Sequence, residues 1–262
     1  MFVLMMQYVI SIKAGLVNHV QGGANIEATQ NIGAGAPIKT GPDGFAEILL
    51  NPGSYLRLGE NSEAVLDSIE LRNIAVRIVS GTAVIEAVGF DKRLPLKVTS
   101  GSLEVEIITD GIYKFSDGKV TIVKGAVRAA DKQRAVFKKG RQVSKNGGYS
   151  ALKVKTGDVT PVETWSRDRS KLIAVVNGNI ARSLRGTSSS VAVPWDGWVW
   201  VPDLGGYTFM PGDAFRSPYG YQYQTLSGIN NGFGYGVNTG GEINAANSPS
   251  GNNNSESLSA SP

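Results

Sequence analysis

The sequence lacks cysteine, has one histidine, and is sparing with charge: Asp, Glu, Lys and Arg make up 18% of its 262 residues. Without cysteine there are no disulfides, no thiolate nucleophile and no Cys-ligated zinc. One histidine, His19, cannot form a three-histidine metal centre. No G-x-S-x-G elbow accompanies it, so a serine-hydrolase triad has no support, and His19 is expected at a strand edge. No calcium loop of the D-x-D-x-D-G type is present. No glycine cluster leads into a helix with a lysine, as a phosphate loop would require. Long apolar runs are also missing. The opening MFVLMMQYVI is apolar for about ten residues, too short to span a bilayer. No basic residue precedes it, so it does not read as a complete secretory signal, and a strand from Gln7 to Val20 is the favoured reading. The formal charge of +4 is mild and does not argue for a nucleic-acid partner.

Glycine, in contrast, is plentiful, with 33 residues. From Tyr8 to about Val159 the pattern is that of short strands broken by turns. Ala46, Ile48 and Leu50 alternate with Glu47 and Leu49, and Tyr55, Arg57 and Gly59 alternate with Leu56 and Leu58, which places successive side chains on opposite faces. Gly41-Pro42-Asp43-Gly44 and Asn51-Pro52-Gly53-Ser54 are turn signals, and Gly41, Asp43, Gly44, Gly53 and Gly59 are read as structural turn residues. Ser116–Lys119 (SDGK) and Lys145–Gly148 (KNGG) read as hairpins. A weak repeat runs through the chain. Val17, Val20, Gly22, Ala24, Ile26, Glu27 and Ala28 match Val76, Val79, Gly81, Ala83, Ile85, Glu86 and Ala87 in spacing, and Val120, Val123 and Gly125 echo them. The three glycines are predicted to be equivalent corners of an all-β fold, an antiparallel β-roll or sandwich or a short β-solenoid.

One helix is predicted. Thr160-Pro161-Val162-Glu163 reads as a capping box with proline at the first helical position. Val162, Trp165, Leu172, Ile173 and Val176 follow at helical spacing, Arg167, Asp168, Arg169 and Lys171 form the expected wet face, and Gly178 is the expected stop. The predicted organisation is a β-domain over residues 1–159, an amphipathic helix over 160–186, an aromatic Gly/Pro-rich segment over 187–239 and a disordered tail over 240–262.

Three groups are candidates for function. The carboxylates Glu104, Glu106 and Asp110 could bind a cation or do acid–base work, as an envelope hydrolase would need, although the wet face of a half-exposed strand accounts for them more simply. A basic run from Lys132 to Lys155 fits either a solvated, aggregation-resistant edge or contact with an anionic lipid headgroup or wall polymer. In the aromatic segment, Trp198, Trp200, Tyr207, Tyr219 and Tyr221 form a candidate binding surface for sugar rings or a protein partner. The equal alternative is that they close the open end of the β-domain. In WDGWVWVP, Trp198 and Trp200 share one face of a hairpin while Val199 and Val201 share the other. No catalytic, cofactor-binding or metal-binding residue is assigned.

One stretch carries a resemblance. IGAGAPIKTGPDGFAEILLNPGSYLRLGENSEAVLDSIE resembles the core motif of the FecR family, G-x-x-I/V-x-T-G-x-x-G-x-A-x-L-x-L-x-x-G-S-x-L-x-L-x-x-x-S. The matching residues are Gly35, Ile38, Thr40, Gly41, Gly44, Ala46, Ile48, Leu50, Gly53, Ser54, Leu56, Leu58 and Ser62. The aromatic segment is also similar to the tail region of exported FecR-domain proteins of soil-type bacteria. The resemblance implies an extracytoplasmic, all-β domain of the bacterial cell envelope, and with no catalytic residue assigned the chain is read as a non-enzymatic interaction or sensing module. Its implied partner is an envelope protein or wall polymer, and a wall- or carbohydrate-binding role is an alternative. In the best-known members such a domain relays a signal from an outer-membrane transporter to a cytoplasmic sigma factor. Those members carry an N-terminal anti-sigma segment and a membrane helix, neither of which is read in this sequence.

Overall fold

A computed structural model describes residues 8–9, 13–154, 159–184 and 196–225. In chain order the strands are β1 (Tyr8–Val9), β2 (Leu16–Gln21), β3 (Pro37–Lys39), β4 (Phe45–Leu49), β5 (Tyr55–Leu58), β6 (Glu63–Ser68), β7 (Ala75–Ser80) and β8 (Thr82–Ala87). They continue with β9 (Leu96–Ser100), β10 (Leu103–Ile107), β11 (Gly111–Ser116), β12 (Lys119–Lys124), β13 (Ala126–Ala129), β14 (Val136–Lys138), β15 (Arg141–Asn146) and β16 (Gly148–Lys153). Helix α1 (Pro161–Leu184) follows, then β17 (Gly197–Val201), β18 (Gly206–Met210), β19 (Phe215–Arg216) and β20 (Gln222–Tyr223).

The strands form a sandwich. A seven-stranded sheet in the order β14-β13-β10-β9-β7-β6-β3 faces an eight-stranded sheet in the order β16-β15-β12-β11-β8-β5-β4-β2. All pairings are antiparallel except β7 with β9, which is parallel. The core lies between the sheets, with Ile48, Leu56, Leu58 and Ile85 of one meeting Leu66, Ile78, Val98 and Val105 of the other. The outer face of the seven-stranded sheet is wet, and β10 shows the alternation this produces: Leu103, Val105 and Ile107 are buried while Glu104 is exposed. The eight-stranded sheet differs. Every residue of β4 and β5 is buried, because α1 and the segment from β17 to β20 cover its outer face.

Two of the three predicted corners, Gly81 and Gly125, carry the chain directly from a strand of one sheet to a strand of the other: β7 passes through Gly81 into β8, and β12 passes through Gly125 into β13. Gly22 ends β2, and no strand follows until β3. Gly22, Gly81 and Gly125 have φ of +68°, +74° and +100°. At Gly81 the approach is also close, since a Cβ would lie 2.3 Å from Ser62 Oγ and 2.6 Å from its Cα. Side-chain hydroxyls tie these corners together. Ser62 Oγ accepts from the Thr82 N–H at 2.9 Å, Thr40 Oγ1 donates to the Gly59 carbonyl at 2.5 Å, and the Ser62 N–H donates to Thr40 Oγ1 at 2.9 Å. Ser54 Oγ accepts from the Val88 N–H at 2.8 Å and so fastens the β4–β5 turn to the end of β8. Thr40, Ser54 and Ser62 of the quoted motif thus act as locks on the chain's bends. The predicted hairpins are present. Asp117-Gly118 joins β11 to β12 with φ of +51° and +69°, and Gly147 joins β15 to β16.

Three expectations are corrected. The strand expected from Gln7 to Val20 is divided: β1 pairs with β17, whereas β2 pairs with β4, and Gly15 with φ +108° lies before β2. Gly178 does not stop the helix, which continues to Leu184. A glycine inside a helix costs only about 1 kcal/mol relative to alanine, and Ile180 and Ala181 are buried one turn further on, against Val199 and Met210. Arg169 is not on the wet face but buried. The helix start agrees with the capping-box reading, since Glu163 Oε2 accepts from the Thr160 N–H at 2.9 Å. Trp195, Lys155, the 187–190 linker and the tail over 240–262 lie outside the described residues.

Alanine substitution separates the two demands at a corner. Gly81→Ala combines a positive φ with contact against Ser62 and should lose about 3 kcal/mol in urea unfolding. Gly140→Ala, with φ +78° and open space at its Cβ, should lose only about 1–2 kcal/mol. Equal losses would show that the close approach does not matter.

Candidate functional site: a buried charge network beneath the helix

Asn18, Glu47, Arg57 and Glu86 lie on the adjacent strands β2, β4, β5 and β8, on the face away from the sandwich core. Glu47 is directly opposite Arg57 in the ladder. Asn18 is the extra residue of a bulge between Val17 and His19, which turns its amide towards Glu47. The helix adds Ser166, Arg169 and Ser170, and the C-terminal segment adds Tyr219.

Their bonds form one network. Arg57 Nε donates to Glu47 Oε2 at 2.7 Å, and its Nη1 donates to Glu86 Oε2 at 2.8 Å and to Ser166 Oγ at 2.9 Å. Arg169 Nη2 and Asn18 Nδ2 both donate to Glu47 Oε1 at 2.8 Å. Ser170 Oγ bonds Glu86, and the Tyr219 hydroxyl donates to Ser166 Oγ at 2.9 Å. The Arg57 guanidinium carbon lies 4.5 Å from the centre of the Tyr55 ring. Two carboxylates and two guanidiniums are therefore buried together in charge balance. Burial alone would push the Glu47 carboxyl up, but Arg57 and Arg169 outweigh it and hold it at about 2. Burial wins at Glu86, which is raised although Arg57 and Ser170 oppose the shift. Burial would lower Arg57, but Glu47 and Glu86 hold it above the usual arginine range. Burial also pushes the Tyr219 phenol up to about 12.

Two asparagines fix the segment that follows the helix. Asn18 Oδ1 accepts from the Tyr207 N–H at 2.6 Å, and its amide donates to the Tyr207 carbonyl at 3.1 Å. Asn177 Oδ1 accepts from the Gln224 N–H at 2.6 Å, and its amide donates to the Phe209 carbonyl at 3.1 Å. Both side chains are fully buried. The arrangement orients and seals. Its ionised groups are engaged with one another.

The structure separates the residues singled out from the sequence. Trp198 has 0% exposure and packs edge-on against Tyr55 and Phe209, and Tyr207 is buried beside Trp200. These two rings offer no open face for stacking. They close the outer side of the eight-stranded sheet, with Leu49 and Ile173 as neighbours. Trp200, Tyr219 and Tyr221 remain partly exposed. Trp198 and Trp200 do share a face of the hairpin, and Val199 and Val201 share the other. Gly41, Asp43, Gly44 and Gly59 flank strand ends, and Gly53 has φ +84° beneath Phe209. Glu106 accepts from Arg128 Nε at 2.6 Å and from Arg134 Nη2 at 2.9 Å, Glu104 is exposed, and Asp110 accepts from the Gly89 N–H. The three carboxylates thus have separate roles. His19 sits on β2, the edge strand of its sheet, stacked on Trp165, and its pKa is lowered by burial and by Arg169. Sequence reasoning missed the buried network. Its signal was three ionisable residues of opposite sign at matching places in neighbouring strands, with Ser166, Ser170 and Asn177 in helical register.

A sandwich with hydroxyl-locked corners and a covered charged face defines a β-scaffold. Residues 36–128 match the model of the family described as FecR protein. Two crystal structures of a candidate anti-sigma factor from Parabacteroides distasonis ATCC 8503 resemble the chain at 15% and 14% identity, each with a TM-score of 0.39, covering 54% of this chain and 73% of theirs. No curated protein matches. Among the described residues no helix is long and apolar enough to cross a membrane.

Acid should find the network. A folded carboxyl at about 2, against an ordinary 4.5, contributes stability that is fully present above pH 4.5 and is lost as pH falls through about 2. For a buried group this is about 3 kcal/mol. Glu86, being raised, acts in the opposite sense: its contribution is present below its ordinary value and is lost as pH rises through its folded one, so it offsets part of the acid loss. Removing one partner of a buried pair costs about 3–5 kcal/mol. Arg57→Met should lose that much at pH 7. Arg169→Met should lose less and should flatten the fall in stability between pH 4.5 and 2, because one of the two cations that depress Glu47 is gone. Urea unfolding at stepped pH measures both. An unchanged acid limb in Arg169→Met would contradict the assignment.

Proposed function

We propose that this chain is a non-enzymatic, extracytoplasmic interaction or sensing module of the bacterial cell envelope, with its FecR domain as the signalling part. The single observation that carries the reading is the FecR match over residues 36–128. It includes Thr40, Ser54 and Ser62, the motif residues that lock the corners, so the matched residues maintain a shape rather than a reaction centre. The covered face of the eight-stranded sheet adds support, because a helix held by a buried ion pair and a β-segment held by buried amides give a rigid body whose wet surfaces are free for a partner. The outer face of the seven-stranded sheet is one such surface. It carries Arg77 paired with Asp67 at 2.7 Å, and an exposed Lys97. The partner on this reading is an envelope protein or a wall polymer.

Fractionation with in-cell cross-linking of the full chain tests the reading. Recovery in the envelope fraction, cross-linked to one envelope component, is the expected outcome. Recovery in the cytosol would defeat it, as would hydrolysis of a wall polymer that is lost in Glu106→Gln. Glycan binding lost in Trp200→Ala and Tyr221→Ala would favour the carbohydrate alternative instead.

A further inference from the structure

The two sandwich sheets end on β2, β3, β14 and β16, and three of these edges are closed or blunted. Residues 29–32 run beside β2, where the Val17 N–H donates to the Gln30 carbonyl and the Val17 carbonyl accepts from the Thr29 N–H, both at 2.8 Å. At β3, Asn25 stands in for a neighbouring strand. Its side-chain oxygen accepts from the Lys39 N–H at 2.7 Å, its amide donates to the Pro37 carbonyl at 3.0 Å, and its own N–H donates to the Lys39 carbonyl at 3.1 Å. β14 has only three residues, one of them a lysine. β16 differs from all of these. It has six residues and no proline, and it pairs with β15 without a bulge. Short strands, proline, bulges and covering segments are the usual protections of an edge, and among the described residues β16 has none of them.

The pairing fixes which backbone groups are open. The two-residue loop Asp117-Gly118 makes Ser116 and Lys119 a hydrogen-bonded pair. Alternation from strand to strand then turns Gln142 and Ser144 towards β16, and turns the N–H and C=O groups of Tyr149, Ala151 and Lys153 away from β15. Among the described residues these groups have no partner. The side chains alternate as well. Tyr149 and Ala151 pack against the core, and Lys153 follows on that inward side, opposite Arg141. A cleft of about 520 Å³ opens inward of the edge, with Phe137, Ala151 and Arg141 among its walls. Leu152 is on the outward side and is 70% exposed.

Charge is the remaining protection of this edge. Arg141 and Lys153 are like charges directly opposite each other, an arrangement that is destabilising. Neither forms an ion pair among the described residues, and the nearby Glu104 and Glu106 are engaged by Lys145, Arg128 and Arg134. The pair repels a second basic edge and favours an acidic residue placed beside it.

We propose that β16 accepts an extended segment of a partner protein as a further strand, with an apolar residue beside Ala151 and, two positions along, an acidic residue beside Lys153. Backbone pairing supplies the affinity, and the alternate side chains supply the selectivity. A lipid headgroup or an anionic polysaccharide would neutralise the cations but leave the backbone groups of Tyr149, Ala151 and Lys153 unpaired. A second copy of the chain would pair them but would set one basic edge against another. The proposal concerns this edge alone and does not depend on where in the cell the chain resides.

Titration of the full chain with a short synthetic peptide tests this. The peptide carries valine and glutamate two positions apart, with threonine at the positions between. Saturable binding that slows amide hydrogen exchange at Tyr149, Ala151 and Lys153 is expected. The same peptide N-methylated along the edge that meets β16 keeps its charge but loses its donors, and should bind at least about 10-fold more weakly. Lys153→Glu should bind the glutamate peptide about 5-fold more weakly and should prefer a peptide with lysine in its place. Ala151→Pro removes an outward donor without taking a bond from β15, and should abolish binding. If its melting curve is altered, the N-methylated peptide decides, because it leaves the protein unchanged. No binding, equal binding of the N-methylated peptide, equal binding of the lysine peptide to the unaltered chain, or unprotected amides at these three residues would each overturn the proposal. So would a stable dimer that protects the same amides without peptide.

Discussion

The salt-bridged cluster around Arg57 is the constraint from which the outer half of the molecule follows. A guanidinium with no solvent contact cannot be left without carboxylates, and two buried carboxylates cannot be left without cations. The sheet supplies three of the four charges, Glu47, Arg57 and Glu86, and Arg169 of the helix supplies the fourth. Only when the helix lies across β4, β5 and β8 do all four find partners. A purely apolar interface of the same area would hold the helix as firmly but would tolerate sliding, whereas ion pairs at 2.7–2.8 Å select one register. The cluster therefore sets position more than it adds net stability.

That position explains why the two sheets differ. The seven-stranded sheet keeps an ordinary wet face, with ion pairs such as Arg77 with Asp67 open to water. The eight-stranded sheet is sealed by the helix and by rings from the C-terminal segment, with Trp198 between Tyr55 and Phe209. The motif residues of the FecR match belong to neither face. Thr40, Ser54 and Ser62 work at the bends, where unpaired backbone groups need a hydroxyl once the chain leaves one sheet for the other.

Much of this architecture was legible in the sequence, because it rests on local chemistry. The glycines of the repeat are backbone requirements, and all three appear with positive φ where strands end. Asp117-Gly118 and the Thr160–Glu163 cap announce themselves through residue type alone. The buried network was not legible for an equally definite reason. Alternation tells which residues share a face, and it correctly puts Glu47, Arg57 and Glu86 opposite the core. It does not tell whether that face is wet. The cover over these three comes from helix residues 84 to 122 positions away in the chain, Ser170 meeting Glu86 and Arg169 meeting Glu47 at the two extremes. Arg169 was misplaced for the same reason, since a charged residue on a helix counts as exposed until its counter-charge is known. Trp198 and Tyr207 were ambiguous because exposed and buried aromatics look alike in one dimension.

The two asparagines that secure the C-terminal segment have a different implication. Asn18 and Asn177 grip the peptide groups of residues 207, 209 and 224, with one further contact from Asn177 Nδ2 to Met210 Sδ at 3.5 Å. An amide grip is blind to sequence. It fixes the path and spacing of the strand it holds, so the solvent-facing side chains along that path can change without disturbing how the sealing rings are seated.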